Sequence, residues 1–163
     1  MADRIIAKSK WFAIAQATEQ DEIITTGSDD VRIVARDDES RIILIEEPAF
    51  AFATKTLLLP GGVVETGEDV LVAAQRELQE EAGVKADTLD LIGAVRPWAR
   101  YLRVTSHVVL AQGLRRAPLK GDEAHEIAVH KHPQAEVARM IKTGAITDAG
   151  TIAALALCLA QWR

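Results

Sequence analysis

Residues 31–35 and 41–45 are two runs of β-branched and aliphatic side chains joined by Arg36-Asp37-Asp38-Glu39-Ser40. This pattern predicts two strands pairing antiparallel through a five-residue loop. Residues 23–26 and 10–17 are expected to add edge strands upstream. Leu57-Leu58-Leu59 reads as a strand stopped by Pro60-Gly61-Gly62, and Val63-Val64 resumes it before a turn at Thr66-Gly67. From Asp69 to Ala82 the period changes. Leu71, Ala74, Leu78 and Ala82 recur at helical spacing, and Gly83 stands where a left-handed C-cap is wanted.

Strands are expected at residues 89–95, 103–111 and 127–131. A helix should begin at Pro133, run through Ile141 and close at Gly144, and Asp148 should cap a last helix reaching Gln161. Strands, one helix, more strands and two helices form segregated elements. The expected class is α+β, with a mixed β-sheet between helices, and not a strictly alternating doubly wound sheet.

The 163 residues suit one domain, and 48% hydrophobic with 26% charged residues is ordinary globular composition. A formal charge of -5 removes the basic face that a nucleic-acid binder needs, so no nucleic-acid partner is expected. No apolar run approaches membrane-spanning length, and the first residues lack the pattern of a secretory signal. Cys158 is alone and sits in an Ala/Leu helix, where a buried, inert thiol is expected. These features predict a soluble, cytoplasmic protein without a membrane partner.

The chemistry concentrates in residues 62–84. Glu77, Glu80 and Glu81 are three and four positions apart and so share one helix face. At about 6 Å separation and an effective dielectric of about 20, each pair repels by roughly 3 kcal/mol before relaxation. A hard divalent cation such as Mg²⁺ would neutralise them, taking oxygen ligands and sharing its shell with water and substrate phosphates. A solvated acidic helix face is the alternative that the glutamates alone leave open.

The spacing decides between them. Gly62, five residues, Glu68, seven residues, Arg76-Glu77-Leu78, one residue, Glu80-Glu81, one residue, Gly83-Val84 matches the Nudix box without exception. Chance would produce it on the order of once in ten million chains of this length. The chain therefore resembles the Nudix hydrolases. The resemblance implies the Nudix fold, a helix-sheet-helix sandwich, in which Glu77 and Glu81 ligate Mg²⁺ or Mn²⁺ with Glu80 beside them. It also implies the Gly61 carbonyl as a further ligand, Glu68 and Arg76 as a brace between loop and helix, and structural roles for Gly62, Gly67 and Gly83. The family hydrolyses a nucleoside diphosphate linked to another group.

Further segments resemble the ADP-ribose pyrophosphatase branch. They are Leu119-Lys120-Gly121-Asp122-Glu123-Ala124-His125-Glu126-Ile127-Ala128-Val129 and Gly144-Ala145-Ile146-Thr147-Asp148-Ala149-Gly150-Thr151. By that match Glu123 takes the place of the catalytic base. Arg96, Pro97 and Trp98 follow the box where that branch carries a proline, and Tyr101 lies about where diadenosine polyphosphate enzymes carry a tyrosine. Trp98 or Tyr101 could stack on a base.

The chain departs from the branch at three points. His125 stands where some relatives place another acidic metal-site residue, so either Glu126 substitutes or the metal set differs. Glu46-Glu47-Pro48 stands where basic residues are usual, and Leu58 replaces a glutamate. His130 and His132 lack a third nitrogen or sulfur ligand and are not read as a metal pair.

The resemblance implies a substrate derived from a nucleotide and a homodimer formed through N-terminal strands in residues 1–30, with residues 31–163 as the hydrolase domain. Diadenosine polyphosphate or nucleoside triphosphate hydrolysis, and non-catalytic nucleotide sensing, are the alternatives.

Overall fold

The computed structural model describes residues 4–10, 12–18, 21–121 and 125–161. Three short strands, β1 (Arg4–Lys8), β2 (Ala13–Gln16) and β3 (Glu22–Thr25), form an antiparallel meander at the start of the chain. The central sheet is built around β4 (Asp30–Ala35), whose alternation of Val31, Ile33 and Ala35 with Val34 buries both of its faces. A strand buried on both faces reads as a continuous apolar run, which is why residues 31–35 carry so clear a signal.

After β5 (Arg41–Ala49), β6 (Thr54–Leu58) and β7 (Gly61–Val63) comes helix α1 (Val70–Glu81). Asp69 caps it by accepting from Leu71 N at 2.8 Å, and Gly83 follows at φ +68°. Next are β8 (Val84–Lys85), β9 (Thr88–Val95), β10 (Leu102–Arg103), β11 (Ser106–Gln112), β12 (Arg115–Arg116) and β13 (Ala128–Pro133). Helices α2 (Gln134–Thr143) and α3 (Ala149–Gln161) close the order. Pro133 is the N-cap of α2, and Asp148 Oδ2 accepts from Thr151 N at 2.7 Å to cap α3.

The central sheet has the order β7-β4-β11-β9, and a second sheet has the order β13-β5-β6. β4 and β11 are parallel while the other central pairs are antiparallel, so the sheet is mixed. Helices cover opposite faces. On one side Val31, Ile33, Ala35, Ile43, Val109 and Ala111 meet Ala73, Ala74 and Leu78 of α1. On the other, Val34, Ile42, Leu44 and Val108 meet Val137 and Met140 of α2 and Ala154, Leu155 and Cys158 of α3. Each large aliphatic side chain removed from water contributes roughly 1.5–3 kcal/mol. The Cys158 thiol is buried, which pushes its pKa up to about 12.

The expected hairpin between residues 31–35 and 41–45 is corrected. β4 is flanked by β7 and β11 and β5 by β6 and β13, so neither has an edge to offer the other. A single bridge, Arg36 to Ile42, joins them where the chain passes from one sheet to the next. Asp37 fixes that turn, accepting from Arg41 N at 2.9 Å and Arg41 Nε at 2.9 Å. The expected strand at residues 103–111 is also broken: Leu102 and Arg103 join β3, and the ladder restarts at Ser106.

Candidate functional site

The core positions the first part of the motif. Gly61, Gly62 and Val63 pair with Arg32, Val31 and Asp30 of β4, and Ile33 N donates to Pro60 O at 2.8 Å. At Gly61 a Cβ would stand 2.0 Å from the Val31 carbonyl oxygen, so only glycine permits this approach. At Gly62 a Cβ would meet the Glu77 carboxylate, 2.4 Å from Oε1. Gly61 N donates to Glu81 Oε2 at 2.8 Å. The glycine backbone therefore lies against carboxylates from two successive turns of α1. Glu81 is 8% exposed, unusually buried for a glutamate.

Arg76 organises the remaining carboxylates. Its Nε and Nη2 donate to Glu68 Oε1 and Oε2, both at 2.9 Å, in a two-pronged pair that ties the loop to the helix. Nη2 also donates to the Val63 carbonyl at 3.0 Å. Nη1 reaches Glu77 Oε1 at 2.6 Å and Glu80 Oε2 at 3.3 Å. One guanidinium thus serves three carboxylates, so the repulsion expected from the sequence is offset within the chain. Hydrogen bonds from Arg76 hold the Glu68 carboxyl below the usual carboxylate range. The same contacts, led by Glu68, raise the Arg76 pKa further.

Among the described residues, no three His, Cys, Asp or Glu side chains are already gathered into a metal-binding group. The donor chemistry nevertheless fits a hard cation. Glu77 and Glu81 are carboxylates four positions apart beside a glycine backbone, with Glu80 adjacent, and nitrogen or sulfur ligands are lacking in this group.

Glu123 lies outside the described residues, and the chain around it is anchored on both sides. Leu119 N donates to Gln79 O at 3.1 Å, which fixes the approach to α1. On the far side His125 Nε2 lies 3.1 Å from Glu47 Oε2 of β5. Two departures from the branch pattern, His125 and Glu47, are therefore partners. Glu126 is exposed.

Arg96, Pro97, Trp98 and Tyr101 form a second group, on the connection from β9 to β10. Trp98 sits at φ +53°, a conformation uncommon for a bulky residue, and its carbonyl accepts from Tyr101 N at 2.9 Å and Leu102 N at 3.0 Å. The Trp98 and Tyr101 rings meet edge to face at 5.3 Å, and Trp98 is 66% exposed. Both line an open cavity of about 470 Å³ with Ile14, Ile23 and Ile24. Arg96 and Tyr101 line a neighbouring cavity of about 440 Å³. Pro97 is half-buried and lines neither.

Asp29, which sequence reasoning missed, connects the two groups. It lines the second cavity, its carbonyl accepts from Val64 N at 2.9 Å, and its Oδ1 accepts from Thr105 N at 3.0 Å. Arg100 and Arg103 share that cavity and were also missed. Their spacing from Arg96, four and then three residues, in a stretch without acids was the available signal.

A NUDIX domain model matches residues 28–155. The chain belongs to the NUDIX family. It is similar to ADP compounds hydrolase NudE of Escherichia coli, 30% identical over 124 residues that cover 76% of this chain and 66% of that protein. It is also 30% identical to an ADP-ribose pyrophosphatase of Mycobacterium tuberculosis over 126 residues, 76% of this chain and 61% of that one. The aligned Nudix region thus spans just under two thirds of the length of these curated relatives.

A crystal structure of an ADP compounds hydrolase superposes with a TM-score of 0.82 at 26% identity, covering 99% of this chain and 91% of that chain. The fold is the Nudix fold, an α+β sandwich.

Proposed function

We propose that this Nudix protein is a metal-dependent pyrophosphohydrolase that cleaves the diphosphate of ADP-ribose or a related ADP-linked compound to AMP and a phosphorylated product. The observation that carries the reading is the seating of Glu77 and Glu81 against the Gly61–Gly62 backbone within a complete box. The names of the relatives, an ADP compounds hydrolase and an ADP-ribose pyrophosphatase, support the substrate class.

Glu77, Glu81 and the Gly61 carbonyl would hold Mg²⁺ or Mn²⁺, with Glu80 beside them. The bound ion supplies charge screening at the diphosphate oxygens and a Lewis acid for the water. Glu123 accepts a proton as the water oxygen bonds to phosphorus and the bond to the departing phosphate oxygen breaks. Arg76 and Glu68 hold α1 and the box loop in register. Trp98 and Tyr101 offer an aromatic face to the adenine, and Arg96 faces the phosphates.

The N-terminal sheet leaves Ile5, Ile6, Phe12 and Ile14 exposed, which supports a homodimer formed through residues 1–30, with residues 31–163 as the hydrolase domain. Sedimentation velocity showing only monomer at micromolar concentration would refute that assembly. Tyr101 lines both cavities, which keeps diadenosine polyphosphate and nucleoside triphosphate hydrolysis as the second reading.

The test is incubation with Mg²⁺ and a panel of ADP-ribose, other ADP-linked compounds, diadenosine polyphosphates and nucleoside triphosphates, followed by chromatography. AMP plus ribose 5-phosphate, abolished by chelator, is the expected result. Glu123→Gln should lower turnover by about 10²–10⁴-fold. Binding without turnover of any compound would overturn the proposal in favour of a nucleotide sensor.

A further inference from the structure

The box leaves the position between Leu78 and Glu80 free, and Gln79 fills it. Both its side chain and its main chain hold a segment distant in sequence. Gln79 Nε2 donates to Ala117 O at 2.8 Å, and Gln79 O accepts from Leu119 N at 3.1 Å. Ala117 N donates in turn to Gly83 O at 3.0 Å. Pro118, between them, has no N–H, so the main-chain donors of residues 117–119 both go to the C-terminal end of α1 and the glycine after it. The Pro118 and Leu119 side chains are exposed, so these hydrogen bonds, and not apolar packing, carry the attachment.

The helix uses the same bonds. Gln79 O is among the last four carbonyls of α1, which lack partners within the helix, and the turn it ends carries Glu80 and Glu81. One turn back, Gln75 Oε1 accepts from Ala86 N at 3.3 Å, just after β8, which pairs with β12. The two glutamines thus tie one flank of α1 to the β8–β12 unit and to the chain leaving it. At 3.6 residues per turn Gln79 is about 200° around the helix from both Glu77 and Glu81, so it acts on the site through the segment it holds.

Beyond Leu119 the chain continues through Lys120 and Gly121 toward Glu123. Four residues reach at most about 14 Å, so the point at which Leu119 is pinned bounds where a carboxylate at position 123 can act. We propose that Gln79 is a positioning residue for hydrolysis: it pins residues 117–119 to the turn of α1 that carries Glu80 and Glu81, and so sets those carboxylates relative to Glu123. This rests on the reading of the box as the cleavage site and of Glu123 as the base.

The experiment compares Gln79→Met, which keeps the side-chain length and removes the N–H donor, with Gln79→Lys, which restores a donor. With Mg²⁺ and ADP-ribose, Gln79→Met should lower kcat about tenfold and leave KM within twofold of wild type, because misplaced reacting groups slow the chemical step while substrate contacts persist. Gln79→Lys should recover at least half of the wild-type kcat. Mn²⁺ affinity, titrated by electron paramagnetic resonance, should agree within twofold in all three proteins. Amide exchange followed by NMR should be at least fivefold faster at Leu119 in Gln79→Met and unchanged at Ala73, on the core side of α1.

An unchanged kcat in Gln79→Met, an equal loss in Gln79→Lys, a fall in Mn²⁺ affinity matching the fall in kcat, or unmoved exchange at Leu119 would overturn the proposal. Donor-dependent exchange at Leu119 in a protein that hydrolyses none of the ADP-linked compounds would support the tie and refute the hydrolase reading instead.

Discussion

Replacing Arg76 with Met removes the guanidinium while keeping most of the aliphatic stem, so it isolates the charge that holds Glu68, Glu77 and Glu80. Breaking one partner out of a buried ion pair costs about 3–5 kcal/mol. The Arg76 side chain is 25% exposed and its partners 13–20%, so water recovers part of that loss. Freed carboxylates also repel one another, by roughly 3 kcal/mol per pair at about 6 Å before they move apart.

Side-chain relaxation and solvation reduce both figures, and a net loss of about 3 kcal/mol is expected. For a domain of this size, that lowers Tm by roughly 6–12 °C. The assay is thermal and urea unfolding in EDTA at neutral pH and low salt, repeated with Mg²⁺. The variant should regain more stability from Mg²⁺ than wild type does, because carboxylates that have lost the Arg76 guanidinium gain more from a cation that binds the folded state. A variant within about 0.5 kcal/mol of wild type without metal would refute the assignment of Arg76 as the internal counter-ion.

Gly61→Ala should destabilise strongly, because its Cβ would meet backbone at 2.0 Å; Gly62→Ala should fold and lose metal affinity, because its Cβ displaces the movable Glu77 carboxylate. Urea unfolding and Mn²⁺ titration distinguish the two, and equal stabilities would refute the distinction. The Glu68 carboxyl titrates below its ordinary 4.5 in the folded chain, so its stabilisation is fully present above that value and is lost as pH falls through the lower folded pKa. The stability gap between wild type and Glu68→Gln should therefore narrow as unfolding is measured from pH 6 down to about 3; a constant gap would show that this carboxylate is not the one responsible. Asp148→Ala should cost about 1 kcal/mol in urea unfolding by uncapping α3, and an unchanged midpoint would assign the cap no weight.

The parts of this protein written in contiguous residues were legible from the sequence. Asp69 and Gly83 bound α1, Gly144 ends α2 and Asp148 starts α3, because caps depend on local backbone chemistry. The box was legible for the same reason: its spacing lies within one loop and one helix. Strand partners were not. Residues 31–35 and 41–45 carry the alternation and the intervening turn of a hairpin, yet what decides their pairing is the arrival of β11, β7, β6 and β13 on their flanks. Local periodicity holds no record of those arrivals. The sharing of Arg76 among three glutamates was hidden similarly, since the motif suggests one partner and the fold supplies the others. Asp29 was invisible because its role depends on Val64 and Thr105, distant in sequence and adjacent only after the sheet has formed.

The ladder between β4 and β7 has a consequence for motion. Gly61, Gly62 and Val63 hang from a strand that fills both hydrophobic cores, so they cannot part from it without disturbing packing on both faces of the sheet. Their detachment belongs with the costly, cooperative openings of the molecule and not with the frequent fluctuations of surface loops. The glycine edge of the site is thus a stationary wall. Adjustments that accommodate different ligands fall to α1 side chains and to the β9–β10 connection, and amide exchange should separate the two, with slow exchange at the wall and fast exchange around Trp98.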